Sequence, residues 1–206
     1  MNCKDLWEKL AKDNSRYYIN SDKGKGITES EFTESGRKDY NRLIKEDNHI
    51  PLGGVILEIG CGTGRMTEFM VDDFEVVIGV DISKEMVKQG RKRLKEKLNI
   101  IFLENDGYTF PIEDNEIDVV FSYIVFQHMK NRKMVESNFK ETYRVLKHKG
   151  IFKVRIRTDK VDLNRWWGGV EYTEQSIGKI IKKIGFDIIK TEPVKDYGLW
   201  LWLQKP

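Results

Sequence analysis

Residues 55–66 read Val-Ile-Leu-Glu-Ile-Gly-Cys-Gly-Thr-Gly-Arg-Met. The first five residues are apolar except for Glu58, a pattern typical of a strand in a parallel sheet that is covered on both faces. Three glycines follow at alternate positions, and a helical pattern extends from Arg65 to Val71. Glycine lacks a Cβ atom and a helix start offers free N–H groups, so this stretch predicts a strand, a tight turn and a helix that together hold an anionic group.

The spacing of the glycines decides which ligand fits this turn. Gly60, Gly62 and Gly64 follow the pattern G-x-G-x-G. A dinucleotide-binding turn has the pattern G-x-G-x-x-G, which would require a glycine where this chain has Arg65. We therefore interpret the turn as a site for a nucleoside with a short charged tail rather than for a pyrophosphate.

Two segments carry a resemblance to a known family. Residues 58–64, Glu-Ile-Gly-Cys-Gly-Thr-Gly, resemble the first motif of the class I S-adenosylmethionine-dependent methyltransferases. The order Trp7, Tyr17-Tyr18-Ile19 and Glu31-Phe32-x-x-Ser35-Gly36 resembles the helical lid of the type 11 group of these enzymes. The resemblance implies S-adenosylmethionine as the cofactor. It also implies a Rossmann-like, mostly parallel sheet of seven strands in the order 3-2-1-4-5-7-6, with strand 7 antiparallel, helices on its flanks and a helical N-terminal lid.

The chain after Val55 alternates strand and helix patterns, which by itself predicts an α/β fold with a parallel sheet and crossover helices. We expect residues 1–50 to form a helical N-terminal extension or lid and residues 51–206 the Rossmann-like core of a single domain, 1–206. In the extension we predict a helix over 3–13, a loop from Ser15 to Ile27, and a second helix over 29–47 that opens with a capping box at Thr28. The expected strands are 55–59, 75–80, 99–103, 116–123, 151–157, 186–191 and 198–203.

The composition argues against several kinds of partner. The 206 residues include 36 basic and 33 acidic side chains, a net charge of +3, which is not the footprint of a nucleic-acid-binding domain. The two cysteines and three histidines have no metal-ligand spacing, so no metal site is predicted. The polar N-terminus has no signal-peptide pattern, and the longest apolar run is too short to span a bilayer. We expect a cytoplasmic protein with neither a nucleic-acid nor a membrane partner.

Asp81 ends the second predicted strand about twenty residues after the first glycine, where a carboxylate can accept hydrogen bonds from both ribose hydroxyls. Arg65 either adds charge near the anionic tail or faces solvent, and Ile82 and Met86 either cover the adenine or belong to the core. The family resemblance implies that Asp106 lies near the adenine amino group. The predicted cofactor-binding residues are Glu58, Gly60, Cys61, Gly62, Gly64, Arg65, Asp81, Ile82, Met86, Asp106, Gly107 and Ser122.

The segment from Ser122 to His128 follows the fourth predicted strand. It lacks the Asp/Asn-Pro-Pro-Tyr motif of amino-group methylases of DNA, RNA and protein glutamine, and no cysteine follows for cytosine-C5 methylation. A hydrophobic strand that leads to a histidine resembles the methylases of small molecules. His128 is a candidate general base or a histidine that bonds to the loop backbone. Tyr18, Trp166 and Trp167 either line the acceptor pocket or contribute to packing.

These features predict a methyltransferase that passes a methyl group from S-adenosylmethionine to an O, N or C atom of a small-molecule acceptor by in-line displacement. Such a reaction needs alignment more than a strong acid or base, so the absence of an evident catalytic cluster does not argue against it. Two alternatives stay open: a methyltransferase that acts on a protein or RNA, and a non-catalytic nucleoside-binding domain.

Overall fold

A computed structural model describes residues 2–158, 168–194 and 198–206 of the chain. Trp166 and Trp167, two of the predicted acceptor-pocket residues, lie outside the described residues. No helix in the described parts of the chain is long and apolar enough to cross a membrane.

Seven strands form one sheet. They are β1 (Val55–Ile59), β2 (Val76–Asp81), β3 (Ile100–Glu104), β4 (Ile117–Ser122), β5 (Leu146–Ile156), β6 (Asp187–Val194) and β7 (Gly198–Gln204). Their order is β3-β2-β1-β4-β5-β7-β6, and β7 runs antiparallel to both β5 and β6. The predicted fold class, strand order and antiparallel last strand are therefore confirmed.

Six helices accompany the strands in the described residues. They are α1 (Cys3–Ile19), α2 (Glu29–Tyr40), α3 (Thr67–Met70), α4 (Lys84–Arg93), α5 (Arg132–Val145) and α6 (Glu174–Ile184). A π-helical turn, Asn41–Lys45, continues α2, and 3₁₀ turns cover Ser21–Lys23 and Phe126–His128. The capping box at Thr28 is present, with Glu31 as its second member.

The N-terminal helix is longer than predicted. The sequence suggested a loop from Ser15 onward, but α1 continues to Ile19 after a break at Asn14, whose backbone is not helical (φ −160°, ψ 80°). The Asn14 side chain accepts a hydrogen bond from the Tyr17 N–H at 3.1 Å. This bond restarts the helix, in the way that an asparagine caps a helix N-terminus.

Strand β6 also extends beyond its prediction. The predicted strand 186–191 leaves Pro193 in the link to the last strand, but in the structure this residue lies within β6 opposite Leu199. Because β6 is the last strand in the sheet order, a residue without an N–H group is tolerated there. Helix α4 ends at Arg93, and α3 is only four residues long although the helical pattern extends from Arg65 to Val71.

The chain divides into two compact units, Met1–Asp106 and Gly107–Pro206. The first unit holds α1–α4 and β1–β3, so the N-terminal extension belongs to the same unit as the glycine turn. The second unit holds α5, α6 and β4–β7. In it, Phe126 packs edge-on against Phe139 at 5.5 Å between ring centroids, and Phe139 packs against Phe152 at 5.4 Å. These contacts anchor the 3₁₀ turn that ends at His128 to the core of its unit.

Candidate functional site

The glycine turn has the backbone conformation that its sequence predicts. Gly60, Gly62 and Gly64 have φ values of 72°, 56° and 83°, in the left-handed region where only glycine lies without strain. A Cβ atom on Gly64 would also lie 2.8 Å from the Leu94 side chain and 2.9 Å from Phe102. The turn therefore needs glycine for its own backbone and for the packing of α4 and β3 beneath it.

The turn was expected to hold an anionic group, but four of its N–H groups donate to acceptors within the protein. Those of Gly60 and Cys61 both donate to the Val80 carbonyl, at 2.8 and 3.1 Å. The N–H of Gly64 donates to the carbonyl of Cys61 at 2.9 Å, and that of Gly62 to the Asp81 carboxylate at 2.9 Å. These four groups close the turn, so the idea that they bind an anionic tail is not supported by the structure. The predicted helix start is also displaced, because α3 begins at Thr67.

Thr63, between the second and third glycines, has a polar group that the sequence reasoning missed. Its side chain is 3% exposed, and its hydroxyl has no hydrogen-bond partner among the described residues. A buried hydroxyl without a partner is costly, and such groups mark places where a ligand can complete the bonding. The hydroxyl suits the polar amino acid tail of S-adenosylmethionine, so the turn fits this cofactor. The threonine in the Gly-Thr-Gly sequence was the available signal.

Asp81 is the last residue of β2, as predicted. Its two carboxylate oxygens accept hydrogen bonds from the N–H groups of Gly62 and Ser83, both at 2.9 Å. Burial raises the pKa of Asp81 to about 6, and hydrogen bonds from the backbone N–H groups of Ser83, Gly62 and Ile82 oppose this shift. An ionised carboxylate has about four acceptor sites, so Asp81 keeps capacity for a further donor beside these three N–H groups. The arrangement suits a ribose diol.

Glu58 and Cys61 are buried beneath the turn. Glu58 accepts a hydrogen bond from the Thr67 hydroxyl, and burial raises its pKa to about 7. Cys61 packs in a cluster with Val87, Leu94 and Phe102, and burial raises the pKa of its thiol well above the usual value. The two side chains support the turn from inside the core, and the thiol has the properties of a packed apolar group.

Arg65 does not face solvent, which was one of its two expected positions. It is buried, and its guanidinium forms an ion pair with Asp39 of α2 at 2.7 Å. The same guanidinium donates to the Ser35 hydroxyl at 3.3 Å. At this point α2 lies so close that a Cβ on Gly36 would come within 2.0 Å of the Arg65 carbonyl oxygen. The arginine thus attaches the N-terminal extension to the glycine turn.

The residues predicted near the adenine differ in exposure. Met86 is 1% exposed and belongs to the core, so of the two interpretations of this residue the structure supports core packing. Ile82, directly after Asp81, is half-buried and keeps a free surface. Ser83, the residue after Ile82, caps α4 by accepting a hydrogen bond from the Met86 N–H at 3.2 Å.

Asp106 and Gly107 follow β3. The Asn105 N–H donates to the Asp81 carbonyl at 3.0 Å, which sets the end of β3 beside the end of β2. Asp106 is exposed and is the last residue of the first unit. Gly107 begins the second unit with φ 83°, and its carbonyl accepts a hydrogen bond from the Asn138 side chain at 2.7 Å.

Ile19 lies directly against the glycine turn. A Cβ on Gly62 would be 2.8 Å from the Ile19 Cδ1 atom. The preceding Tyr18 donates its hydroxyl to Asp13 at 2.9 Å, and this bond raises the pKa of Tyr18. Sequence reasoning named Tyr18 and missed Ile19, although both belong to the Tyr-Tyr-Ile segment that carried the resemblance.

The second unit holds Ser122 and His128. Ser122 is fully buried at the end of β4, and His128 is buried at the end of the 3₁₀ turn. Between them Ile124 has φ 58°. A β-branched residue with positive φ is an outlier, and such strain is concentrated at functional sites. The segment after β4 is therefore a candidate for the acceptor side of the reaction.

The described end of the insert, the segment 158–172 between β5 and α6, contacts this same segment. A Cβ on Gly169 would lie 2.3 Å from the Gln127 carbonyl oxygen, and the Val170 N–H donates to the Met129 carbonyl at 2.9 Å. Gly169 and Val170 thus lie against the backbone on both sides of His128. Sequence reasoning stressed the tryptophans of the insert and not Gly169, whose importance depends on a contact about forty residues away in the chain.

Comparison with known proteins places these features in context. The type 11 family of the methyltransferase domain matches residues 57–154. An uncharacterized protein of Methanocaldococcus jannaschii is 32% identical over 154 residues, which are 69% of this chain and 68% of that protein. The demethylmenaquinone methyltransferase of Staphylococcus saprophyticus is 30% identical over 117 residues, 55% of this chain and 49% of that enzyme.

Solved structures share the fold. An S-adenosylmethionine-dependent methyltransferase from Aquifex aeolicus superimposes with a TM-score of 0.64 at 17% sequence identity, covering 87% of this chain and 100% of that chain. At this identity the likeness concerns the fold alone. The chain spans between 39% and 49% of the length of three of the curated relatives that it matches.

Proposed function

Because the chain belongs to the class I S-adenosylmethionine-dependent methyltransferases, and S-adenosylmethionine is therefore its cofactor, we propose that it transfers a methyl group to a nucleophilic O, N or C atom of a small-molecule acceptor. The transfer is an in-line displacement. The observation that carries this proposal is the Asp81 carboxylate. It stands at the end of β2, held by the N–H groups of Gly62 and Ser83, with acceptor capacity left for a further donor.

In this proposal the first unit binds the cofactor. Asp81 accepts hydrogen bonds from the ribose hydroxyls, and the Thr63 hydroxyl bonds to the amino acid tail. Ile82 covers one face of the adenine, and Asp106 lies near its amino group. The glycines allow the ligand to approach the backbone, while Glu58 and Cys61 keep the turn in shape from below. When bound, S-adenosylmethionine supplies a methyl group activated by the adjacent positive sulfur.

The second unit takes the acceptor. Alignment of the nucleophile is the main requirement of an in-line displacement, and contacts with Gly169 and Val170 position the backbone on both sides of His128. For an O–H or N–H nucleophile, His128 accepts the proton that the acceptor loses. Tyr18, Trp166 and Trp167 remain candidate acceptor-binding residues, because aromatic side chains suit a planar or cationic acceptor.

Support for a small-molecule acceptor comes from the missing Asx-Pro-Pro-Tyr motif, from the balanced net charge of +3, and from a relative named for a quinone substrate. A protein or RNA acceptor would instead call for an extended basic groove. Salt-sensitive acceptor binding would favour that alternative. Donor binding without turnover on any acceptor would favour a nucleoside-binding domain.

Isothermal titration with S-adenosylmethionine tests the cofactor site. Asp81→Ala should weaken binding at least about tenfold, because an acceptor of charge-assisted hydrogen bonds is lost. Glu104→Gln is the matched control, since Glu104 lies opposite Asp81 in the β2–β3 register and pairs only with the exposed Lys4 among the contacts described. Equal affinities for wild type and Asp81→Ala would refute the assignment.

Turnover is tested with radiolabelled donor and a metabolite extract, in which methylated small molecules are the expected product. His128→Ala should leave donor affinity intact and lower the rate of transfer. A loss of donor binding in this variant would give His128 a structural role instead.

A further inference from the structure

The N-terminal helix α1 contacts the start of α4 through one carboxylate. The Oε2 atom of Glu8 accepts hydrogen bonds from the Ser83 hydroxyl at 2.8 Å and from the Glu85 N–H at 3.0 Å. Glu85 belongs to the first turn of α4, so its N–H has no partner within the helix. A carboxylate from 75 residues earlier in the chain thereby completes the cap of α4.

Ser83 connects this carboxylate to the proposed cofactor site. Its N–H donates to Asp81 Oδ1, while its hydroxyl accepts from the Met86 N–H and donates to Glu8. Asp81 in turn accepts the Gly62 N–H through Oδ2. An unbroken series of hydrogen bonds therefore runs from α1 to the glycine turn, and each member of the series restrains the next.

Further contacts hold α1 in this position. The Gln89 side chain of α4 donates to the Ala11 carbonyl at 3.2 Å and accepts from the Ser15 hydroxyl at 2.6 Å. Lys12 lies 3.1 Å from Glu8 on the exposed side of α1. The first half of α1 is thus attached along α4, while its second half ends at Ile19 against Gly62.

Charge gives the contact a second effect. The bond from Glu85 and the other bonds to Glu8 lower the pKa of Glu8 to about 2, so this carboxyl is ionised at neutral pH. The titratable groups that act on Asp81 in the first unit are Glu8 from α1, Glu58 from β1 and Cys61 from the turn. After burial, the negative charge of Glu8 is one of the causes of the raised pKa of Asp81.

We propose that Glu8 is a positioning residue of the cofactor site, which acts through Ser83 to hold Asp81 in the orientation that receives the ribose. The N-terminal helix is then part of the cofactor site, and its docking on α4 and the binding of the donor strengthen each other. This inference rests on the proposed function, because it assumes that Asp81 receives the donor.

Three variants test it: Glu8→Ala, Glu8→Gln and the control Asp5→Asn. Asp5 lies three residues earlier on the same helix, is exposed, and makes no described contact with α4. Glu8→Ala should weaken binding of S-adenosylhomocysteine about tenfold in isothermal titration, which corresponds to one charge-assisted hydrogen bond. It should raise KM for the donor and leave kcat within about twofold. Glu8→Gln keeps an acceptor oxygen and should recover most of the affinity, and Asp5→Asn should match wild type.

The pH dependence of binding separates positioning from a general loss of structure. Affinity should fall as the pH drops through the pKa of Asp81, near 6 in the wild type. Glu8→Gln removes a negative neighbour, which lowers the pKa of Asp81, so the fall should begin at a lower pH. A midpoint that does not shift would show that Glu8 supports the helix contact without influencing Asp81.

Two results would overturn the inference. One is wild-type affinity in Glu8→Ala. The other is an equal loss of affinity in Glu8→Ala and Glu8→Gln with an unchanged pH midpoint, since that indicates simple disruption of the helix contact. Failure of the proposed function is a different result, because the wild-type protein itself would then bind neither S-adenosylmethionine nor S-adenosylhomocysteine.

Discussion

Replacing Thr63 with valine should change stability and donor binding in opposite directions. The Thr63 hydroxyl is buried without a described partner, which costs about 1–3 kcal/mol when nothing bonds to it. Valine has nearly the same shape and no hydroxyl, so Thr63→Val should be as stable as wild type or up to about 2 kcal/mol more stable. For a chain of this length, each kcal/mol raises the melting temperature by about 2–4 °C.

Donor binding should show the opposite effect. If the hydroxyl bonds to the tail of the donor, its removal costs about 0.5–1.5 kcal/mol of binding free energy, or a roughly two- to tenfold weaker Kd. Thr142→Val is the matched control. Thr142 lies in α5, is fully buried, and likewise has a hydroxyl without a described partner. It should gain stability in the same way and bind the donor like wild type.

Differential scanning calorimetry and isothermal titration with S-adenosylhomocysteine measure the two effects. Unchanged affinity in Thr63→Val would refute the idea that this hydroxyl faces the donor. A clear loss of stability in the free protein would show that the hydroxyl already has a partner, and the reasoning would fail at its first step. A shift in affinity for Thr142→Val would mean that the affinity change is not specific to the turn.

Two further predictions concern the second unit and the buried carboxyl beneath the turn. Gly169→Ala should lower both the melting temperature and the rate of transfer but not donor affinity, because the new Cβ would lie 2.3 Å from the Gln127 carbonyl oxygen. In the control Gly178→Ala, in α6, the new Cβ contacts nothing, and the change should stabilise the protein by about 0.5–1 kcal/mol. Equal melting temperatures of the two variants would contradict this prediction. The folded protein keeps a proton on Glu58 up to about pH 7 that the unfolded chain releases near pH 4.5, so this group lowers stability as the pH rises between these values. Glu58→Gln should make the free energy of unfolding fall less steeply with pH, as measured by urea unfolding at pH 5, 6, 7 and 8. An unchanged pH dependence would refute the raised pKa of Glu58.

The individual strands and the turn were accessible from the sequence because they depend on neighbours in the chain. An apolar run followed by alternate glycines predicts a strand and a turn locally, and Thr28 with Glu31 closes its capping box within one helical turn. The position of Asp81 at the end of β2 also followed from strand length alone. The complete strand order came from the family resemblance, since spacing does not specify which strands pair.

The site itself required the tertiary structure. Asp81 was predicted from its place in the chain, but the N–H groups of the turn that were assigned to the ligand proved to be used within the fold. Arg65 was assigned to the ligand or to solvent and instead pairs with Asp39 of α2. The sequence shows which donors a turn contains, but only the folded chain shows which of them already have an acceptor.

The residues that sequence reasoning missed have a common cause. Glu8 reaches Ser83 across 75 residues, Ile19 meets Gly62 across the fold of the first unit, and Gly169 packs against Gln127 in the second. None of these pairs has a periodic or motif signal, because each depends on how two distant segments pack. By itself the sequence determined the fold class, the glycine turn and the carboxylate beside it, all of which follow from local backbone chemistry. The tertiary structure decided which side chains surround them, because burial and hydrogen-bond partners are properties of the packed chain.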